Sequence, residues 1–180
     1  LALGNLGDQR VHAAELFGLT PGTVELQSAG PLSFGPSGVL FVGDAKAAKV
    51  YAINTEDEKG GTGNFEIENL NERLGAAMGS DDVTVNDLAV NPETGNAFLS
   101  VTAGGKAAIA RVSPNGAISP LNLDKIAHAS VALPNAPEDK VVTNGRRSSN
   151  PRESSITDIA YTAGRLLVAG LAAGESPSSV

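Results

Sequence analysis

Two short polar pairs, each ending in aspartate and each set ahead of an apolar triplet, carry the clearest chemistry in this chain. Asn86-Asp87 precedes Leu88-Ala89-Val90, and Thr157-Asp158 precedes Ile159-Ala160-Tyr161. The carboxylates of Asp87 and Asp158 could hold Ca²⁺ or another divalent cation, since hard cations take oxygen ligands. The alternative is that each Asp caps a turn by accepting backbone N–H groups. Taken singly, each is read that way. A second, mixed group consists of Asp44, Lys46 and Lys106 in turn segments, with Arg146, Arg147 and Arg152 in one polar stretch. These six form a candidate ligand rim. The arginines have the geometry to grip a carboxylate or phosphate in bidentate pairs, and the plainer reading is a solvated loop.

Other chemistry is not supported. Asp81-Asp82 is read as solvating the segment after a helix. Gly60-Gly61-Thr62-Gly63 lacks the lysine and the strand–helix setting of a phosphate loop. Neither His12 nor His128 lies near a Ser/Asp pattern, so a Ser-His-Asp triad is not expected. Whether the chain is an enzyme stays open.

The elements that must position these residues are short strands. Residues 85–112 read as three strands separated by two tight turns, at Asn91-Pro92-Glu93-Thr94-Gly95 and around Gly104-Gly105. Partial copies lie at 31–55 and at 156–171. In the first unit, Gly35-Pro36-Ser37-Gly38 and Asp44-Ala45-Lys46 make the turns, and Phe65 and Ile67 are expected to supply a fourth, outer strand. In the second, residues 118–123 complete a four-stranded antiparallel meander. Ile67, Leu70, Leu74 and Met78 fall at helical spacing, with Gly79 as the stop and Asn69 as a possible start. Residues 134–152 are polar without an apolar period, which marks a loop. Before the first unit, a helical turn is expected near 13–16, a turn at Pro21-Gly22 and a short strand over 23–27.

The 180 residues suit one domain with a real core. Twenty-one Gly and ten Pro spread among apolar runs agree with many turns between short strands. A net charge of −7 and a pI near 4.8 argue against nucleic acid, whose phosphates need a basic surface. No apolar run reaches the roughly 20 residues of a membrane span. With no Cys, disulfides and thiolate metal sites are excluded. The chain starts at Leu1 without a Met, so a processed, trimmed or truncated end is expected.

At 86–98 the sequence Asn-Asp-Leu-Ala-Val-Asn-Pro-Glu-Thr-Gly-Asn-Ala-Phe resembles the blades of bacterial β-propellers of the NHL, gluconolactonase/regucalcin-like and YncE-like groups. Residues 35–44 and 157–161 match the same pattern, although Gly30-Pro31 stands where the other units have Asn86-Asp87 and Thr157-Asp158. The resemblance implies an all-β fold of four-stranded antiparallel blades, about two and a half of them in an incomplete ring, with one short inserted helix. One domain over 1–180 then divides into an N-terminal segment (1–30), blade one (31–67), a helical insertion (68–82), blade two (83–133), a polar loop (134–155), and a partial third blade with a flexible tail (156–180). Rings need 4 to 8 blades, so the expectation is the N-terminal part of a longer propeller, or an open arc that self-associates through its sheet edges.

In such a fold the opening strand of each blade lines the channel. The helix and the 134–152 loop are expected to cover the channel mouth near Asn86, Asp87 and Asp158. The implied function is a non-catalytic binding or scaffold module that contacts a small molecule or a protein at that mouth, secreted or periplasmic in a bacterium. The rival is a metal-dependent lactonase-type hydrolase, with Asn86, Asp87 and Asp158 as metal-holding candidates by likeness to the gluconolactonase group.

Overall fold

Apolar alternation broken by Gly and Pro turns folds here into antiparallel strands, as the pattern requires. The computed structural model describes residues 17–63, 66–174 and 178–179. The first strands are β1 (Thr20–Gly22), β2 (Leu32–Phe34), β3 (Val39–Asp44) and β4 (Lys49–Asn54), followed by helix α1 (Leu70–Met78). A meander of β5 (Val83–Val90), β6 (Ala97–Ala103), β7 (Lys106–Val112) and β8 (Ile118–Pro120) comes next. The chain continues through β9 (Ile126–Ala132), the hairpin of β10 (Val142–Asn144) and β11 (Arg147–Ser149), then β12 (Asp158–Thr162), β13 (Arg165–Leu171) and β14 (Ser178–Ser179). The fold is all-β in class, and no described helix is long and apolar enough to cross a membrane.

Three sheets build the core. Sheet one has the order β1-β9-β4-β3-β2, sheet two the order β5-β6-β7-β8, and sheet three the order β12-β13-β14. The pleat sends Leu40, Val42, Tyr51, Ile53 and Ile126 of sheet one to the same side as Phe98 and Ile109 of sheet two, and these form one buried cluster. On the opposite side of sheet one, Val50 packs with Ile156 and Ile159, next to Phe41, Leu166 and Val168. The Phe41 and Tyr161 rings stack at 5.7 Å. The far face of sheet two, with Leu99, Val101, Ala110 and Val112, is covered by Leu70, Leu74 and Met78 of α1. The layers therefore run α1, sheet two, sheet one, sheet three. Their opening strands sit side by side, with β2 between β5 and β12.

The helix matches the apolar stripe. Gly79 closes it in the left-handed region at φ 69°, which a residue without Cβ adopts at no steric cost, and Ser80 N–H reaches Gly75 O at 3.0 Å. Asn69 stands at the start, but its side chain caps nothing.

Several expectations need correction. The fourth strand of sheet one is β9, which pairs with β4 in the register Tyr51↔Ser130, and not a strand from Phe65 and Ile67. Ile67 instead packs with the helix against sheet two, and Phe65 lies outside the described residues. Residues 23–27 are not a strand. Pro21-Gly22, expected as a turn, belongs to β1 at the edge of sheet one, where a missing proline N–H breaks no ladder. The polar stretch 134–152 is not structureless, because Gly145 at φ 63° turns an exposed hairpin and Pro151–Ser154 forms a 3₁₀ turn. In the expected tail, Ser178–Ser179 pairs with β13. The helical turn expected near 13–16 lies outside the described residues, as does His12.

Candidate functional site

Sheets one, two and three open at one common end, and the segment 27–32 crosses it just before β2. Three side chains of sheet two clamp this segment. Asn86 Nδ2 donates to Ala29 O at 2.8 Å and to Thr102 Oγ1 at 3.1 Å. Ser100 Oγ donates to Gly30 O at 2.7 Å, and Leu32 N–H donates to Asp87 Oδ2 at 2.7 Å. The β5–β6 register shifts between Val85 and Asp87, a bulge that re-aims Asn86 toward its partners. Both residues picked out for chemistry are thus engaged by the backbone of the same short segment.

Asp44 is fully buried and serves two segments at once. Its Oδ2 accepts Gln27 N–H at 2.7 Å, while Oδ1 accepts Ser28 N–H, Ser28 Oγ–H and Ala47 N–H at 3.0, 2.8 and 3.0 Å. A carboxylate with several N–H donors needs no cation to offset its burial. Burial, with the Asp44 and Glu25 carboxylates nearby, pushes the Tyr51 phenol above its ordinary pKa, and the hydroxyl donates to Glu25 O at 3.2 Å.

The remaining candidates other than Arg152 are exposed. Asp158 opens β12, and its Oδ1 accepts Ile159 N–H at 2.8 Å. Lys46 and Lys106 extend into solvent from the β3–β4 and β6–β7 turns, and Lys46 N–H donates to Ser28 Oγ at 3.1 Å. Arg146 and Arg147 are exposed on the β10–β11 hairpin, whereas Arg152 is half-buried in the 3₁₀ turn that packs on β13. The helix does not cover this end. It lies against the face of sheet two, because its apolar stripe needs an apolar partner. Among the described residues no three His, Cys, Asp or Glu side chains are grouped to hold a metal ion. His128 Nδ1 sits 3.0 Å from Ile126 O, within its own strand.

A second carboxylate, as heavily bonded as Asp44, is one the sequence hid. Asp57 lies in the stretch 56–63, whose charges and glycines predict an exposed loop, yet it is buried at the opposite end of the sheets. Its Oδ1 accepts Asn96 Nδ2 at 2.8 Å and pairs with the Arg111 guanidinium at 3.0 Å. Its Oδ2 accepts Asn91 Nδ2 at 2.9 Å and the Thr94 hydroxyl. The loop lies so close to sheet two that a Cβ on Gly60 would come within 2.6 Å of Thr94 O, and one on Gly63 within 2.7 Å of Pro114 O. These glycines are there for close approach. Asn91, Thr94 and Asn96 supply the donors, but nothing in the local sequence marks Asp57 as their acceptor.

Two concave, mainly apolar surfaces stand out among the described residues, the smaller one, of about 260 Å³, between residues 133–136 and β13. A groove of about 360 Å³ runs between the start of α1 and sheet two, lined by Ile67, Leu70, Leu88, Val90, Leu99 and Val112 among others. Leu88 and Val90 are 55% and 47% exposed in it. In comparisons with known proteins, no family model, curated protein or solved structure matches the chain.

Proposed function

We propose that the chain is a non-catalytic binding or scaffold module of the β-propeller type, meeting a small molecule or a protein at the end where its sheets open. Support for the radial reading comes from three antiparallel sheets whose opening strands adjoin in the order β5, β2, β12. The observation that carries the functional reading is the use made of the carboxylates: Asp87 holds Leu32 N–H and Asp44 holds residues 27, 28 and 47. Carboxylates spent in this way orient backbone and do not activate water. Lys46, Lys106 and Asp158 stay exposed for a charged partner.

A calcium titration followed by thermal melting tests the reading. A resident metal bound by the folded state alone raises Tm in proportion to the logarithm of its concentration. The binding-module reading predicts an unchanged Tm up to millimolar Ca²⁺. A logarithmic rise that Asp87→Ala abolishes would establish the hydrolase-type metal centre instead.

A further inference from the structure

Asparagine followed by glycine occurs at Asn115-Gly116 and at Asn144-Gly145. The pair carries an intrinsic chemistry. Glycine has no Cβ to hold its backbone nitrogen away from the preceding side chain, so that nitrogen can attack the asparagine carboxamide carbon. The attack needs both groups to be free, and the fold treats the two steps in opposite ways.

Asn115-Gly116 lies in the β7–β8 turn, where the reacting groups are tied down. Asn115 Oδ1 accepts Ala117 N–H at 3.1 Å, and Gly116 N–H donates to Ser113 O at 2.8 Å. Gly116 is buried, and its carbonyl accepts Arg73 Nη2 of the helix at 2.6 Å. Attack there requires the whole turn to open.

Asn144-Gly145 sits at the tip of the β10–β11 hairpin. These strands pair only with one another, and residues 138–149 are all exposed. Two strands alone are marginally stable in water, so this tip opens at little cost. The hairpin's side-chain bonds, Thr143 Oγ1 with Ser148 Oγ at 3.0 Å and Asn150 Nδ2 to Asp139 Oδ1 at 2.6 Å, leave Asn144 out. Gly145 N–H, in the turn at φ 63°, has no hydrogen-bond partner among the described residues. Glu138, Asp139 and Lys140 stand at the base of the hairpin, whereas Arg146 and Arg147 flank the step itself. Their positive charge favours the amide anion that attacks.

We propose that Asn144 is a site of spontaneous modification, converted through a succinimide to aspartate and isoaspartate. Gly145 N gives its proton to water and attacks Asn144 Cγ. The N–Cγ bond forms, the Cγ–Nδ2 bond breaks, and the carboxamide nitrogen leaves as ammonia after taking a proton from water. A water molecule then adds to either ring carbonyl and reopens the ring, so water is consumed and a carboxylate gained. That carboxylate arises across the strands from Arg147 and offsets part of the basic tip. Isoaspartate also routes the backbone through the side-chain carbon, which lengthens β10 and breaks the Asn144↔Arg147 register. The aged hairpin is then a substrate for an enzyme that methylates isoaspartyl carboxylates.

Mass spectrometry of the full chain held at mildly alkaline pH, folded and in urea, tests the proposal. Cleavage after Lys and Arg separates residues 112–125, with Asn115, from residues 141–146, with Asn144. In urea the two steps convert at similar rates. In the folded chain Asn144 is expected to stay within a few-fold of its urea rate, while Asn115 slows at least about tenfold, the factor that about 1.4 kcal/mol of local opening supplies. Asn144→Gln, which would have to close a larger ring, is expected to abolish conversion at this position and methyl labelling of the aged chain. Its exposed position leaves the fold intact, as circular dichroism would confirm. Asn144 slowed by folding as much as Asn115, or Asn115 converting first, would overturn the proposal, as would an aged Asn144→Gln chain that still takes the methyl label.

Discussion

Replacing Asp57 with Ala is expected to lower the unfolding free energy by about 3 kcal/mol, measured by urea denaturation. The carboxylate is buried and neutralises Arg111 while receiving Asn91, Thr94 and Asn96. Removing one partner of a buried pair costs about 3–5 kcal/mol, because the other charge is left without compensation. The lower end applies here. The Arg111 side chain is 33% exposed and can recover part of its hydration, whereas the two asparagines cannot. The network has no slack, as Asn96 Oδ1 and Arg111 Nε are already buried without partners. Asn at position 57 would keep one acceptor oxygen and is expected to cost less than Ala. If the Ala variant were as stable as the parent, the loop 56–63 would not be docked on sheet two.

The second large effect belongs to the junction of sheets one and two. Phe98→Ala is expected to cost about 4 kcal/mol and to lower Tm by roughly 10 °C. The Phe98 ring is fully buried and meets Phe34 edge-on, at 5.2 Å and 71°. Around it lie Leu40, Val42, Ile53 and Ile109, all nearly inaccessible, so the cavity has little freedom to collapse. Calorimetry of this variant reads the strength of the contact between sheets. A loss below about 1 kcal/mol would mean that the two sheets do not share a core.

The parts of the fold that could be read in advance are those encoded locally. The meander β5–β8 announces itself through short alternating runs and the turns at 91–95, 104–105 and 113–116, and α1 through a stripe closed by Gly79. What stayed hidden is long-range. The run Ile126–Ala132 has no feature that selects β4 as its neighbour, and four of its seven residues are exposed, so its place is decided by the open edge of sheet one. The same holds for the site. Asn86 and Asp87 were legible as a polar pair ahead of an apolar run, but β5 already begins at Val83, and their partners, Ala29 O and Leu32 N–H, lie 57 and 55 residues away. Asp57 was the furthest from view, because composition predicts an exposed loop while its donors, 34 to 39 residues on, draw it inside.

The most direct measurement is the amide proton of Leu32 by nuclear magnetic resonance, during a calcium titration and in Asp87→Ala. If Asp87 serves the chain's own backbone, this proton is protected from exchange in the parent, is indifferent to millimolar Ca²⁺, and loses its protection in the variant. A Leu32 amide that exchanges freely in the parent, or that is displaced by calcium, would mean that the carboxylate serves a ligand, contradicting the account.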